Sequence, residues 1–262
     1  MWIHNLNPVL FKFSFLEVRF YGLVYVLGFF LSILWLFYLK KNHRVNLSSE
    51  KIWDFSFYLL LGVLIGSRLF EILWEPNFYL SNPWNILKIW RGGMSFHGGL
   101  VGVIIAGWLY CKKQKISFWK MADILSVPAM LALALGRIAN FINGELVGRI
   151  TSISWCVQFP NYDSYCRHPS TLYDAGKRFL IFGGLFWLSF KDKFLNFKEG
   201  FIFWNFVFWE GLGRIIIDFY RQDTLYLYFS LGQWLSLLMV IASVFFFLKY
   251  YRSDWKNLLN GK

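Results

Sequence analysis

The chain has 262 residues, 57% of them hydrophobic and 22% aromatic, and its 27 Lys and Arg against 15 Asp and Glu give a formal net charge of +12. Ordinary soluble domains are roughly 45–50% apolar, so the composition excludes one and indicates an all-α, polytopic membrane protein. The basic residues gather at the ends of apolar runs and not along one amphipathic or aromatic-interleaved face, which argues against nucleic acid as a partner.

Spanning the hydrocarbon takes roughly 17–25 apolar residues. Before the first such run, residues 2–18 are aromatic but broken by Asn5, Asn7, Pro8, Lys12 and Glu17, which predicts a segment lying at the interface. About seven transmembrane helices are then predicted, over residues 20–39, 53–74, 94–110, 122–142, 173–190, 200–220 and 228–250. The fourth contains Pro128 and stops at Asn143-Gly144, a turn signal, and residues 143–172 form the longest loop. The first run ends in Leu39-Lys40-Lys41 and not at a small-residue cleavage site, so it is expected to remain as an anchor. With no internal repeat, a single integral-membrane domain over residues 1–262 is the simplest organisation.

Short cytoplasmic loops collect Lys and Arg, and here these follow the first, third, fifth and seventh helices, as in Lys40, Lys41 and Arg44, then Lys112, Lys113 and Lys115. Lys193, Lys198, Lys256 and Lys262 continue the series, whereas Lys88, Arg91 and Arg149 lie in sparser segments. The pattern predicts an external N-terminus and a cytoplasmic C-terminus; Lys177 and Arg178 run against it. Cys156 and Cys166 share the external loop, where either a disulfide or two free thiols is compatible with the residues. No Cys/His cluster has metal-ligand spacing, and neither a metal nor a cofactor is expected.

A charge at the centre of a spanning helix costs roughly 2.5–3.5 kcal/mol on insertion scales, so such residues have a partner or a task. The topology puts the polar ones at one depth: Tyr21 and His97 open their helices from outside, Arg68 lies below Trp74, Arg137 and Asn140 close the fourth helix, Arg214 and Asp218 close the sixth, and Gln233 opens the seventh. Arg137, Asn140 and Gly144 at i, i+3, i+7 share one face, with Glu145 just past the turn. Glu210, Arg214 and Asp218 at i, i+4, i+8 read as a ladder with Arg214 able to pair either way, and Arg221 follows one turn on. A purely structural ladder, a structural Arg68–Glu71 pair, a packing role for His97 and an aromatic-belt role for Tyr21 are the alternative readings. Glycines 98 and 99 beside His97 are read as exposing it.

Arginines without local neutralisation favour an anion, and guanidinium forks suit phosphate. An external pocket of guanidiniums, amides and a histidine therefore fits a lipid phosphate headgroup, with the histidine as a general base. No Ser-His-Asp order or phosphate-cradling glycine loop is present. The residues alone stop at an enzyme acting on, or a transporter or scaffold binding, an anionic phospholipid.

The stretch Gly136-Arg137-Ile138-Ala139-Asn140-Phe141-Ile142-Asn143-Gly144-Glu145, continuing to Gly148-Arg149, resembles the signature of bacterial prolipoprotein diacylglyceryl transferases. In the same order come Phe20-Tyr21-Gly22-Leu23, Gly93-Met94-Ser95-Phe96-His97-Gly98-Gly99, Arg167-His168-Pro169-Ser170, Arg214-Ile215-Ile216 with Asp218-Phe219-Tyr220-Arg221, and Leu231-Gly232-Gln233. The resemblance implies transfer of the diacylglyceryl group of phosphatidylglycerol to the lipobox cysteine of a prolipoprotein signal peptide, in the bacterial cytoplasmic membrane with the catalytic side facing outward. It implies catalytic roles for His97, Arg137, Arg214 and Tyr21, headgroup binding by Arg137, Asn140, Asn143, Glu145, Gly148, Arg214 and Asp218, and secondary roles for Arg68, His168, Arg221 and Gln233. The chain departs from the family pattern at Ala139, usually glycine, at Asp174 and Asp218, usually glutamate, and at Glu210, where an aromatic is common.

Overall fold

A computed structural model describes residues 2–13, 16–88 and 92–260. Arg91 and Lys262, and the side chain of Lys193, lie outside the described set. The helices are α1 (Phe20–Lys41), α2 (Ser49–Trp74), α3 (Pro76–Ser81), α4 (Phe96–Gln114), α5 (Phe118–Ile142), α6 (Ser170–Leu195), α7 (Phe201–Asp218), α8 (Leu231–Lys249) and α9 (Arg252–Asn260). Short strands are β1 (Trp2–Ile3), β2 (Val9–Phe13), β3 (Leu16–Arg19), β4 (Val157–Gln158), β5 (Cys166–Arg167), β6 (Leu225–Tyr226) and β7 (Phe229–Ser230).

Each predicted long helix is present, while α3 and α9 were not expected. The boundaries shift where capping outweighs apolarity: α2 starts at Ser49 because the Ser48 side chain accepts from Lys51 N, satisfying an otherwise orphan donor. Among the described residues, four helices, α1, α2, α5 and α8, are long and apolar enough to cross a membrane. Leu34, Leu69, Leu180 and Leu238 on helix surfaces are each more than half exposed, as lipid-facing side chains are. The chain is a multi-pass membrane protein.

The residues fall into two compact units, 33–121 and 1–32 with 122–262. In the first, Gly62 and Gly66 of α2 meet Gly98, Gly102 and Ala106 of α4, two small-xxx-small stripes in register. A Cβ on Gly66 would lie 2.8 Å from Gly102 Cα, so the two backbones touch. Gly98 and Gly99 are buried in this helix packing, while His97 beside them is exposed, as expected.

In the second unit, the segment before α1 contains the strands β1, β2 and β3. β1 pairs in parallel with β4, β4 pairs antiparallel with β5, and β2–β3 is a hairpin. His4 packs against Phe159 and its Nε2 bonds Phe141 O at 2.7 Å, tying the N-terminus to the end of α5. Cys156 and Cys166 form a disulfide. At the opposite end of the helices, Asp123 of α5 accepts from Gly200 N at 2.6 Å and Phe203 N at 2.7 Å, capping α7 from another helix.

Candidate functional site

α5 stops where its sequence turns polar. Gly144, at φ +69°, takes the left-handed conformation that ends a helix; its N–H bonds Phe141 O and Glu145 N bonds Asn140 O. This closure folds Glu145 back over the last turn. Its carboxylate accepts from Asn140 Nδ2 at 3.2 Å and Asn143 Nδ2 at 2.8 Å, and Asn140 Oδ1 accepts from Arg137 Nη1 at 3.1 Å. Arg137, Asn140, Glu145 and Asn143 are thus one hydrogen-bonded chain.

Arg137 Nε lies 2.7 Å from Asp174 Oδ2 of α6, so its carboxylate comes from another helix and not from Glu145. Asp174 is only 2% exposed, and its Oδ1 meets Lys177 Nζ at 2.8 Å. Arg214 Nε lies 2.9 Å from Asp218 Oδ1, and Asp218 Oδ2 accepts from Ser230 Oγ at 2.9 Å, at the N-terminus of α8, where the helix dipole favours a carboxylate. Gly232 admits this pair: a Cβ there would lie 2.6 Å from Asp218 Oδ2 and 3.0 Å from Arg214 Nη2. Glu210 does not share Arg214. It pairs with Lys177 at 3.0 Å and with Arg178, so the expected ladder is corrected to two separate pairings.

Arg214 and Arg221 lie close enough to act electrostatically on Arg137. Among the described residues, Arg214 has no protein partner at either terminal nitrogen, and Arg137 none at Nη2. Two guanidiniums held at Nε by buried carboxylates, with fork ends left over, can grip a phosphate bidentately. Tyr21 is in the same unit, at the start of α1, where its hydroxyl accepts from Tyr25 at 3.0 Å, and Tyr25 is within electrostatic reach of Arg137.

The loop after Glu145 is pinned to the end of α7. Gly148 bridges to Arg221, and a Cβ on Gly148 would lie 2.7 Å from His168 Cβ and 2.8 Å from Tyr220 O. Arg149 Nε donates to Arg221 O at 3.0 Å. Arg221 is buried, paired with Asp223 at 3.0 Å and not free at the surface. His168 sits against Tyr173 and Tyr220, and burial holds its imidazole below the usual histidine pKa. Arg167 pairs with Asp163, whose carboxyl it holds below the usual carboxylate range. Gln233 completes a capping box with Ser230 and donates to Ile215 O at 3.1 Å, which makes it a helix cap.

In the other unit, His97 is exposed on the first turn of α4, with its ring against Phe96. Arg68, 7% exposed, does not pair with Glu71. It donates to Ile86 O at 2.9 Å, Gly92 O at 2.8 Å, Gly93 O at 2.7 Å and Asn85 O, which binds the α3–α4 connection. Sequence reasoning named Asp174, Lys177 and Arg178 but gave them no place in the site. Their signal was three charges at i, i+3, i+4 in an apolar helix, and the last two were set aside as topological exceptions.

Residues 8–249 match the family model described as prolipoprotein diacylglyceryl transferase. The chain is 40% identical over 248 residues to the phosphatidylglycerol–prolipoprotein diacylglyceryl transferase of Rickettsia felis, covering 92% of this chain and 95% of that protein. To the protein of the same name from Legionella pneumophila it is 36% identical over 240 residues, covering 91% and 92%. The chain belongs to the prolipoprotein diacylglyceryl transferase family.

Proposed function

We propose that the chain transfers the diacylglyceryl group of phosphatidylglycerol to the lipobox cysteine thiol of a prolipoprotein, the first step of bacterial lipoprotein maturation. The thiolate sulfur attacks the glycerol carbon, a thioether forms, and the carbon–oxygen bond breaks with its electron pair leaving on glycerol phosphate. The thiol proton goes to a general base, for which His97 is the proposed group. Arg137 and Arg214 hold the phosphate and stabilise the charge that grows on it as it leaves. Asn140, Asn143, Glu145 and Gly148 shape the headgroup side, Asp218 steadies Arg214, and Tyr21 lines the lipid side.

The observation that carries this reading is the pair of arginines anchored at Nε by Asp174 and Asp218 with fork ends unclaimed. Seven helices cross the bacterial cytoplasmic membrane as one integral-membrane domain, the N-terminus outside and the C-terminus inside, and the pocket opens at the level of the outer leaflet. The disulfide supports an oxidising environment for the loop that carries it.

The test is direct. Purified protein, phosphatidylglycerol vesicles and a lipobox peptide are combined, and the peptide mass is read. A diacylglyceryl adduct is expected, absent from the Cys-to-Ser peptide; lipid binding without adduct would favour a carrier or scaffold. His97→Gln should lower the rate of adduct formation, and a rate equal to wild type would move the base elsewhere.

A further inference from the structure

One helical turn back from Arg214, a second set of charges is buried between α6 and α7. Arg178 reaches Glu210 through Nε at 3.1 and 3.2 Å and through Nη2, and it donates through Nη1 to Leu133 O of α5 at 3.2 Å. Leu133 is one turn before Arg137, so a single side chain ties α5, α6 and α7 together beneath that arginine. Lys177 Nζ sits between the two carboxylates, 2.8 Å from Asp174 Oδ1 and 3.0 Å from Glu210 Oε2. Its aliphatic stem crosses α7 at Gly213, where a Cβ would lie 2.9 Å from Lys177 Cγ and 3.2 Å from Cε. The residue before Arg214 is therefore the gap through which the lysine passes.

Asp174 faces three cations: Arg137, Lys177 and, at 3.6 Å, Arg178. A carboxylate has two oxygens, and if Lys177 and Arg178 had no other anion they would compete with Arg137 for both. Glu210 is that other anion. We infer that Lys177, Arg178 and Glu210 form a positioning bridge for phosphate recognition: Glu210 draws both cations toward α7, leaving Asp174 Oδ2 to orient Arg137. The inference rests on the transfer reading above. None of the three touches substrate; they act through Asp174 and Arg137.

The experiment is a double-mutant cycle on adduct formation, with Glu210→Gln, Arg137→Lys and the pair combined. Glu210→Gln should lower kcat/KM by about tenfold, chiefly by raising KM for phosphatidylglycerol. In the double variant it should add nothing to the loss caused by Arg137→Lys, because one acts through the other. Gly213→Ala, which keeps every charge and displaces the Lys177 stem, should give the same rise in KM and the same non-additivity, and it carries the cycle if Glu210→Gln does not fold. Additive losses, or a lowered melting temperature with unchanged KM, would overturn the positioning role. A wild type that yields no adduct would instead overturn the transfer reading.

Discussion

Arg137 uses Nε on Asp174 and Nη1 on Asn140, which leaves Nη2 for a ligand. A lysine has one compact ammonium and cannot hold Asp174, Asn140 and a phosphate in one plane. Arg137→Lys is expected to reduce kcat for adduct formation by on the order of 10²-fold, the scale for losing one preorganised donor to a developing anion. Activity near wild type in a mass-resolved assay would remove Arg137 from the phosphate. The pairing of Arg137 with Asn140 was legible because i, i+3 spacing on one helix fixes adjacency before any fold is known. Asp174 was not legible in that role: it lies beyond a loop of many residues, and only the packing of α6 on α5 brings its carboxylate within reach. The same limit explains Glu210. Local spacing offered it Arg214, whereas α6 supplied Lys177 and Arg178, with shorter paths and deeper burial.

Elements were read from apolar length, which located every long helix but missed what joins them. The loop between α5 and α6 shows the difference. Its sequence carries no strong periodicity, yet it is ordered by β4–β5, by the Gly148–Arg221 bridge and by His168 packed between two tyrosines. Two titrations act on it in different ranges. Asp163 has a depressed pKa, so its pairing with Arg167 is present above the unfolded value of about 3.9 and lost only as the pH falls through the folded value below that. His168 is held neutral with a pKa below about 6.5, so its contribution is complete above about 6.5 and declines as the pH falls from there toward the folded value. Protection of the amides in residues 147–168, relative to their intrinsic exchange, should therefore fall as the pH drops below about 6.5, and His168→Asn should remove that acid dependence. Protection that stays level until the Asp163 range would show that the imidazole does not hold the loop.

The helix pair α2–α4 makes the complementary point. Its glycines were visible in the sequence, but their contact with α2 was not, because Gly98 and Gly99 were read only for the exposure of the neighbouring His97. Gly66→Val places branched carbons against the Gly98 and Gly102 backbone, which cannot retreat as a flexible side chain could. The variant should lower the detergent-solubilised melting temperature by several degrees, a loss of about 1–3 kcal/mol for overpacking. An unchanged melting temperature would mean that the two helices are not held at backbone contact.

On the scale of the whole molecule, apolarity and function pull against each other. α1, α2, α5 and α8 are apolar enough to be recognised as spans by composition, while α6 and α7 carry the charges of the site and are not. Each unpaired charge in hydrocarbon costs roughly 2.5–3.5 kcal/mol on insertion scales, so a crossing by α6 and α7 requires Asp174, Lys177, Arg178 and Glu210 to compensate one another across the helix pair, as their ion pairs do. Such a crossing would be a property of the folded pair and not of either sequence, and Lys177 and Arg178, which ran against the orientation count, are two of the compensated charges. If all seven long helices span, the β6–β7 turn and helix α9 lie on opposite sides. Tyr228, 90% exposed at that turn, and Lys256, exposed on α9, are suitable reporters, since two native cysteines are bonded to each other and Cys111 is buried. In intact cells an impermeant maleimide should label Tyr228→Cys at once, and Lys256→Cys only after permeabilisation. Labelling of both from outside would require an even number of spans between them and would refute the crossing of α8, while the reverse pattern would invert the orientation and put the arginine pocket on the cytoplasmic side.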